Sequence, residues 1–303
     1  QNGYSVRLWK TVRGSQFALY PNLNAQDSEW RKLNRDKRFR HALSLATNRY
    51  ELNQVLYYGL GLEGNNTVLP SSSLYKEEYF KKWAEFDLKK ANMLLDEIGL
   101  TDRDEDGLRL LSDGRPMKII IETAGESSEE TDILELIADS WLKVGVKLYP
   151  KPSQREVLRN RIFSGETNMS LWYGNLNGLL SPHSSPAELV PRQQQSFQWP
   201  KWGQYVETKG NAGEEVDIIQ AQELNNLYVL WFRAQTTAEK KDIWERILEI
   251  NSEETYTIGL VAGIPQPVAL SNKLMNVPED GFYNWEPGAL LGVYKPDGFW
   301  FDE

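Results

Sequence analysis

The sequence predicts an α/β fold with a mainly parallel sheet flanked by helices, because strand-like and helix-like segments alternate in the middle of the chain. Short aliphatic runs bounded by polar residues alternate with segments whose apolar residues recur at helical spacing. The predicted order is strand 117–123, helix 129–144, strand 146–149, helix 154–163 and strand 169–173. A helix between two strands brings the chain back in the same direction, so the three strands are expected to be parallel with right-handed crossovers.

The first third of the chain is predicted to contribute two strands and two helices, namely strands 4–9 and 17–23 and helices 36–58 and 87–98. The second strand is expected to break at Pro21, which cannot donate a ladder hydrogen bond. Asp36 is a suitable N-terminal cap for the first helix, and Gly59 follows its last apolar residue. Gly99 ends the second helix in the same way.

The second half of the chain contains a long polar segment, 174–217, which has no helical or strand period and is rich in Gly, Asn, Ser, Pro and Gln. A loop of this length inside a compact domain is usually functional, and the sequence places Trp199 and Trp202 in it. The elements predicted after it are helices 218–234 and 238–252 and strands 258–261 and 267–270. The aromatic tail 285–303 has no helical period.

Composition excludes several classes of partner and chemistry. The chain has 303 residues with 34 basic and 43 acidic side chains, a net charge of −9. Nucleic acid and anionic membranes need a basic face, so neither is expected as the main partner. The absence of cysteine excludes a disulfide framework and a thiolate nucleophile. The 11 tryptophans suggest surfaces for stacking in addition to a core.

The beginning of the chain suggests a piece of a longer precursor. It reads Gln1-Asn2-Gly3, with no initiator methionine and no signal-peptide pattern. A chain that opens directly on a strand is expected to continue a sheet whose other strands come from earlier sequence.

Catalytic motifs are weak throughout, so we expect no enzyme activity. Only two histidines are present: His41 lies in a predicted helix and is expected to be structural, and His183 lies in a serine-rich loop. No nucleophile elbow and no phosphate-binding glycine motif occurs. A carbohydrate-active enzyme with Glu122 and Glu188 facing each other across a pocket remains an alternative, because glycosidases need such a pair.

An aspartate-rich turn resembles the first half of a calcium loop. Asp102, Asp104 and Asp106 alternate and are followed by Gly107, which permits a sharp turn. Asp113 stands at the twelfth position, where a longer glutamate is usual. Two interpretations are open: a weak calcium site, or a polar turn between a helix and a strand.

The end of the third predicted strand carries the strongest candidate binding residues. In an open parallel sheet, ligands gather at the carboxyl ends of the strands. There the sequence places Trp172 and Tyr173, a flexible Gly174, and the amides Asn175 and Asn177. Aromatic faces and amides recognise a ligand but do not provide a reaction.

Several segments resemble one family in the same order along the chain. They are the Arg-x-Arg-His-Ala-Leu-Ser-Leu-Ala-x-Asn-Arg segment 38–49, a Gly-rich stretch ending at Pro70, the helix 86–99, the turn 106–109, Leu-x-Val-Gly-Val at 142–146, and Gly-Glu-x-Asn-Met at 165–169. These are similar to segments of the large extracytoplasmic solute-binding proteins of family 5, which serve oligopeptide, dipeptide and nickel ABC importers. The resemblance extends from about Leu19 to Pro278.

This resemblance implies a lobe like those of type II periplasmic binding proteins. The chain would be the C-terminal half of a two-lobed clamp, with residues 1–19 as a connecting hinge strand from the missing N-terminal lobe. Residues 20–275 would form the C-terminal lobe, and residues 276–303 would return toward the missing lobe.

The resemblance also implies a function. The protein would be the solute-binding component of an ABC importer, capturing a peptide-like ligand in the periplasm and delivering it to a membrane permease. The expected ligand-binding residues are Tyr20, Asn22, Trp172, Tyr173, Asn175 and Asn177. No cofactor is expected apart from calcium, if Asp102, Asp104 and Asp106 bind it.

The identity of the ligand is the open point. Peptide-binding members use an Asp after the third strand to pair with the peptide α-ammonium, and Asn177 stands at that position here, with Asn175 close by. An amide lacks the charge of a carboxylate. The alternative within the same fold is an oligosaccharide or an opine-like conjugate, which the many tryptophans would suit.

Overall fold

The computed structural model describes residues 3–302. The helices in this range are α1 Ser28–Arg35, α2 Lys37–Leu45, α3 Arg49–Tyr57, α4 Glu77–Lys81, α5 Leu88–Glu97, α6 Ser128–Leu142, α7 Arg155–Ser164, α8 Pro200–Glu207, α9 Ile219–Arg233 and α10 Thr237–Glu254. The strands are β1 Tyr4–Lys10, β2 Ala18–Pro21, β3 Leu62–Glu63, β4 Lys118–Thr123, β5 Lys147–Pro152, β6 Met169–Trp172, β7 Ile258–Gly259, β8 Val261–Ala262, β9 Pro265–Ser271, β10 Leu274–Met275 and β11 Trp300–Phe301. Short 3-10 turns cover Ala187–Leu189, Gly292–Tyr294 and Pro296–Gly298.

The central sheet has the order β5-β4-β6-β2-β7. Strand β4 is parallel to both β5 and β6, which confirms the predicted parallel strands and their crossover helices α6 and α7. Strand β2 is antiparallel to β6 and to β7, so the sheet is mixed at that side. The α/β fold class predicted from the alternation of elements is therefore confirmed.

Strand β2 divides two parts of the core because successive side chains point to opposite faces. Leu19 joins the large core, in which α2, α5 and α6 cover one face of the sheet. Ala18 and Tyr20 point to the other face and pack with Phe197. The sheet thus separates a thick apolar layer from the side on which the candidate site lies.

The predicted helix 36–58 is wrong as a single element, because the chain forms α2 and α3 with a break between them. Asn48 caps α3 by accepting a hydrogen bond from the N–H of Glu51 at 3.2 Å. Thr47 accepts the indole N–H of Trp141 at 3.1 Å, which holds the break against α6. The apolar period continues through the break, so periodicity alone could not locate it.

The long segment 174–217 is more structured than predicted. It contains α8 and a 3-10 turn, and Trp199 and Trp202 are buried in a second apolar core with Trp244 and Tyr256. These tryptophans therefore support the fold rather than a binding loop. Proline at the first position of α8 is favourable, since its missing N–H needs no partner there.

The first strand and the tail lie against each other. Strand β1 pairs antiparallel with β9 from Tyr4↔Ser271 to Lys10↔Pro265, and β10 pairs with β11. The division into 1–19, 20–275 and 276–303 stays a prediction, and its end residues Gln1, Asn2 and Glu303 lie outside the described residues.

Across residues 3–302, no helix combines the length and the apolar character that crossing a membrane would require.

Candidate ligand-binding site

An open cavity of about 1010 Å³ lies where β6 ends and the chain enters the long polar segment. Aromatic, amide and charged side chains are prominent in its lining. The aromatic residues are Tyr20, Trp172, Tyr173, Phe197 and Trp285; the amides are Asn175, Asn177, Gln193, Gln195 and Gln198; the charged residues are Arg155, Arg159, Glu188 and Glu286. A volume of this order accommodates a drug-sized or larger ligand.

Trp172 is held in an aromatic cluster at the end of β6. Its ring contacts Tyr173 with centroids 5.5 Å apart and Phe197 at 5.7 Å. The guanidinium of Arg155 lies 5.3 Å from its centroid. The ring is half-buried, so it presents a fixed apolar surface to the cavity rather than a mobile side chain.

Tyr173 also lines the cavity, but much of its ring is already in contact with protein. Phe17 stacks on it at 5.0 Å, and the guanidinium of Arg13 lies 4.0 Å from its centroid. Tyr20 donates its hydroxyl to the carbonyl of Tyr173 at 2.6 Å. Burial raises the pKa of Tyr20, so this hydroxyl stays protonated and continues to donate. The structure therefore places the predicted residues Tyr20 and Tyr173 together at the cavity.

Gly174 is required by close packing. A Cβ at this position would come within 2.5 Å of the carbonyl oxygen of Ser15 and 2.6 Å of Oδ1 of Asn66. Any side chain would therefore have to displace the Ser15 backbone and the Asn66 side chain, which pack against the end of β6.

Asn175 lies at the cavity, but its polar groups are hydrogen-bonded within the protein. Its N–H donates to Oδ1 of Asn66 at 2.7 Å, and its Nδ2 donates to the carbonyl of Asn66 at 3.2 Å. Asn66 in turn donates from Nδ2 to Oδ1 of Asn175 at 3.2 Å. The reciprocal amide pair ties the end of β6 to the Gly-rich segment, so Asn175 is a supporting residue more than a ligand contact.

Asn177 has the free polar group that Asn175 lacks. Its Oδ1 accepts the N–H of Leu179 at 2.8 Å, which fixes the side chain. Within residues 3–302 its Nδ2 has no hydrogen-bond partner, and the residue is half-buried on the cavity wall. Asn177 can therefore donate a hydrogen bond to a ligand.

The expectation for Asn22 is wrong. Strand alternation would put Asn22 on the same face as Tyr20, but β2 ends at Pro21 and the chain turns. The side chain of Asn22 accepts the N–H of Asn24 at 2.9 Å and donates to the carbonyls of Ile162 and Thr167. It is 1% exposed and lies outside the cavity lining.

Glu188 is a cavity residue that the sequence suggested only weakly, as half of a hypothetical catalytic pair. It lies on the 3-10 turn Ala187–Leu189, and its Oε1 accepts the N–H of Leu176 at 2.9 Å. Burial raises its pKa to about 7, and the nearby Glu286 acts in the same direction.

The structure does not bring Glu122 and Glu188 together as a catalytic pair. Glu122 is 2% exposed, lies outside the cavity lining and binds Arg161 through both carboxylate oxygens at 2.8 and 2.9 Å. Burial acts to raise the pKa of Glu122, but the hydrogen bonds and charge of Arg161 outweigh it and hold that pKa below its usual value. A carboxylate so engaged is part of the fold and is not available as an acid or nucleophile.

The calcium loop is not supported by the arrangement of its carboxylates. Asp104 accepts the N–H groups of Asp106 and Leu108 at 3.0 and 2.8 Å, so its carboxylate closes the turn. In the described part of the chain, Asp102, Asp104 and Asp106 do not form a group of three that could hold a metal ion. The hydrogen bonds of Asp104 agree with the interpretation of this segment as a polar turn.

Phe197 and Gln198 were missed because they follow no motif. Phe197 is buried against Tyr20 at 6.0 Å and against Trp172, although its sequence neighbours are polar. Gln198 is buried, and its Oε1 has no hydrogen-bond partner within residues 3–302. The only indication in the sequence is the cluster of glutamines in segment 193–198, which lies inside the predicted loop 174–217.

An α/β lobe with an open, aromatic and amide-lined cavity at the end of a parallel strand is typical of α/β ligand-binding proteins. Residues 2–196 match the family described as bacterial extracellular solute-binding proteins, family 5 Middle. The chain belongs to this family, which confirms the resemblance seen in the sequence.

Two relatives and one solved structure show the range of the similarity. The chain is 21% identical over 271 residues to a periplasmic alpha-galactoside-binding protein of Rhizobium meliloti (strain 1021), covering 86% of this chain and 37% of that protein. It is 30% identical over 114 residues to the oligopeptide-binding protein OppA of Lactococcus lactis subsp. lactis, covering 37% and 19% respectively. A solved oligopeptide-binding protein OppA superposes with a TM-score of 0.78 and 28% identity, over 99% of this chain and 49% of that one. The chain thus spans half or less of the length of these proteins.

Proposed function

We propose that this protein is the solute-binding component of an ABC importer, and that it captures a peptide-like solute outside the cytoplasmic membrane and delivers it to a membrane permease. The described chain would supply one lobe, and the rest of the polypeptide would supply the other. The protein would act by binding alone, without catalysis. The periplasm is the proposed location, by analogy with the alpha-galactoside-binding relative.

The observation that carries the proposal is the cavity at the end of β6. Its volume of about 1010 Å³ has room for several residues of an extended peptide. Asn177 offers a free donor, and the exposed amides of Gln193 and Gln195 on the cavity wall carry both donors and acceptors, which are the groups that a peptide backbone needs. The aromatic residues Trp172 and Phe197 provide an apolar wall for side chains of varied shape.

An oligosaccharide is the second candidate. The same amides would bind sugar hydroxyls, and an indole face such as that of Trp172 would stack on a pyranose ring. The similarity to an alpha-galactoside-binding protein favours an oligosaccharide ligand. Phe197 and Arg155 already lie against the Trp172 ring, which leaves less ring area for a sugar.

The test is a direct binding measurement on the intact protein. A pool of short peptides of mixed sequence and the trisaccharide raffinose would each be titrated while tryptophan fluorescence and melting temperature are followed. We expect the peptide pool to quench fluorescence and raise the melting temperature, because a ligand that binds only the folded state stabilises it. Binding of raffinose alone would favour the second candidate, and hydrolysis of either compound would contradict a binding role.

A further inference from the structure

Glu188 is a carboxylate on the cavity wall without a cationic partner. Its Oε1 accepts one backbone hydrogen bond, from Leu176, and within residues 3–302 no lysine, arginine or histidine forms an ion pair with it. The side chain is half-buried, and burying a carboxylate without a counter-charge costs free energy. A structural role would normally supply that counter-charge, as Arg161 does for Glu122.

The charged groups around Glu188 do not neutralise it. Glu286, from the C-terminal segment, lines the same cavity and repels it. Arg155 and Arg159 of α7 also line the cavity, but Arg155 binds Glu126 through two hydrogen bonds, at 2.7 and 2.5 Å. Arg159 lies 4.0 Å from Glu156.

The protonation of Glu188 follows from these surroundings. Burial and Glu286 raise its pKa to about 7, whereas the hydroxyl of Tyr20, the titratable group that faces it from β2, stays protonated. Near neutral pH the empty site therefore holds Glu188 partly as the acid. A cation brought beside it would favour the carboxylate, and the proton would leave to bulk water.

Building on the function proposed above, we propose that the solute carries a positively charged group, an ammonium or a guanidinium, which pairs with the carboxylate of Glu188 and displaces its proton into solvent. A peptide provides this group at its amino terminus or on a lysine or arginine side chain. A neutral oligosaccharide does not provide it.

Three peptide pools test the proposal by titration of the intact protein. The first pool has free amino termini and no lysine or arginine, the second is the same pool N-acetylated, and the third is N-acetylated with one lysine in each peptide. Charge-assisted hydrogen bonds in buried sites predict that at least one cationic pool binds about ten- to a hundredfold more tightly than the neutral pool. The first and third pools identify which source of the cation is used.

The variant Glu188→Gln removes the charge with little change of shape, and it should remove the preference for the cationic pool. Glu105→Gln is the matched control, because Glu105 is an exposed carboxylate on the 102–107 turn, away from the cavity. It makes the same change in net charge and should leave the preference unchanged.

Proton release provides a measurement that needs no variant. Calorimetry of the wild type at pH 7 in two buffers of different ionisation enthalpy should show release of a fraction of a proton on binding the cationic pool and none on binding the neutral pool. Equal affinities for the cationic and neutral pools would overturn the role of Glu188 while leaving peptide binding intact. Failure of every peptide pool to bind, with or without raffinose binding, would overturn the proposed peptide function and this inference with it.

Discussion

His41 illustrates how one buried side chain makes stability depend on pH. Its ring stacks on Trp83 with centroids 4.0 Å apart, and Nε2 lies 2.7 Å from the carbonyl of Glu253. Burial lowers its pKa from 6.5 to about 4. The neutral form is therefore the one that the fold favours, and a structural role agrees with the expectation from the sequence.

The prediction for His41 is a loss of stability in acid. The unfolded chain takes up a proton near pH 6.5 and the folded chain only near pH 4, so stability is complete above pH 6.5 and falls as the pH drops through this window. The total loss from this residue is of the order of 3 kcal/mol. In His41→Gln, chemical denaturation at pH 7 and pH 4.5 should show a smaller difference in unfolding free energy than in the wild type. An unchanged difference would mean that other groups dominate.

Asn175 and Asn177 are two asparagines with different roles: Asn175 supports the fold, and Asn177 is available to a ligand. Asn175→Asp replaces the donor to Asn66 by a second oxygen and should destabilise the fold by about 1–3 kcal/mol. Asn177→Asp keeps the acceptor for Leu179 and should leave the melting temperature nearly unchanged, while raising affinity for cationic peptides and lowering it for neutral ones. Thermal melts and calorimetry on both variants check this, and a stability loss at position 177 equal to that at 175 would contradict the division of roles.

Trp172 is a residue at which we expect a large effect on binding. Its fixed position against Tyr173 and Phe197 makes it an aromatic anchor. Trp172→Ala should weaken solute binding by about 1–3 kcal/mol, the size typical of such anchors. The exposed Trp300 is a suitable control, and Trp300→Ala should leave affinity unchanged.

Among the helices, α10 begins with a complete capping box. Thr236 accepts the N–H of Glu239, and Glu239 accepts the N–H of Thr236 at 3.0 Å. Thr236→Ala should lower the unfolding free energy by about 1 kcal/mol, whereas Thr236→Ser keeps the hydroxyl and should have little effect. Urea denaturation of the two variants checks this, and equal losses would mean that the cap contributes little.

Elements with a strong local pattern could be predicted from sequence, and those set by distant contacts could not. Strands β4, β5 and β6 and helices α5, α6 and α7 follow their apolar periods closely. Helix α8 was not predicted, because Pro200 and Gly203 are residues typical of turns and hide its helical pattern. The burial of Trp202 in the second core stabilises this helix. In the candidate site, the aromatic residues at the end of β6 could be predicted from sequence. The buried position of Asn22 could not, because its side chain is held by carbonyls about 140 residues further along the chain.

At the scale of the whole molecule, one face of the β1–β9 ribbon is unusually apolar. Tyr4, Val6 and Leu8 alternate along β1 and are 53%, 56% and 60% exposed. Contiguous apolar patches of this kind mark contact surfaces. The chain produced by itself should therefore self-associate with rising concentration, and sedimentation should show this.

The double variant Val6→Lys/Leu8→Lys should return the chain to monomers, because it places charges on that face. The same double change at two exposed residues of α9, Ile219 and Phe232, is the control and should not reduce association to the same extent. Strict monomers of the wild type at high concentration would contradict the prediction.

The close packing at Gly174 also limits how this protein can acquire a new solute. No side chain fits at that position, and Asn175 beside it is tied to Asn66, so the end of β6 tolerates little evolutionary change. Gln193 and Gln195 also face the cavity, but their side chains are exposed. We expect divergence in specificity among descendants of this protein to accumulate at Gln193 and Gln195, while the strand end stays constant.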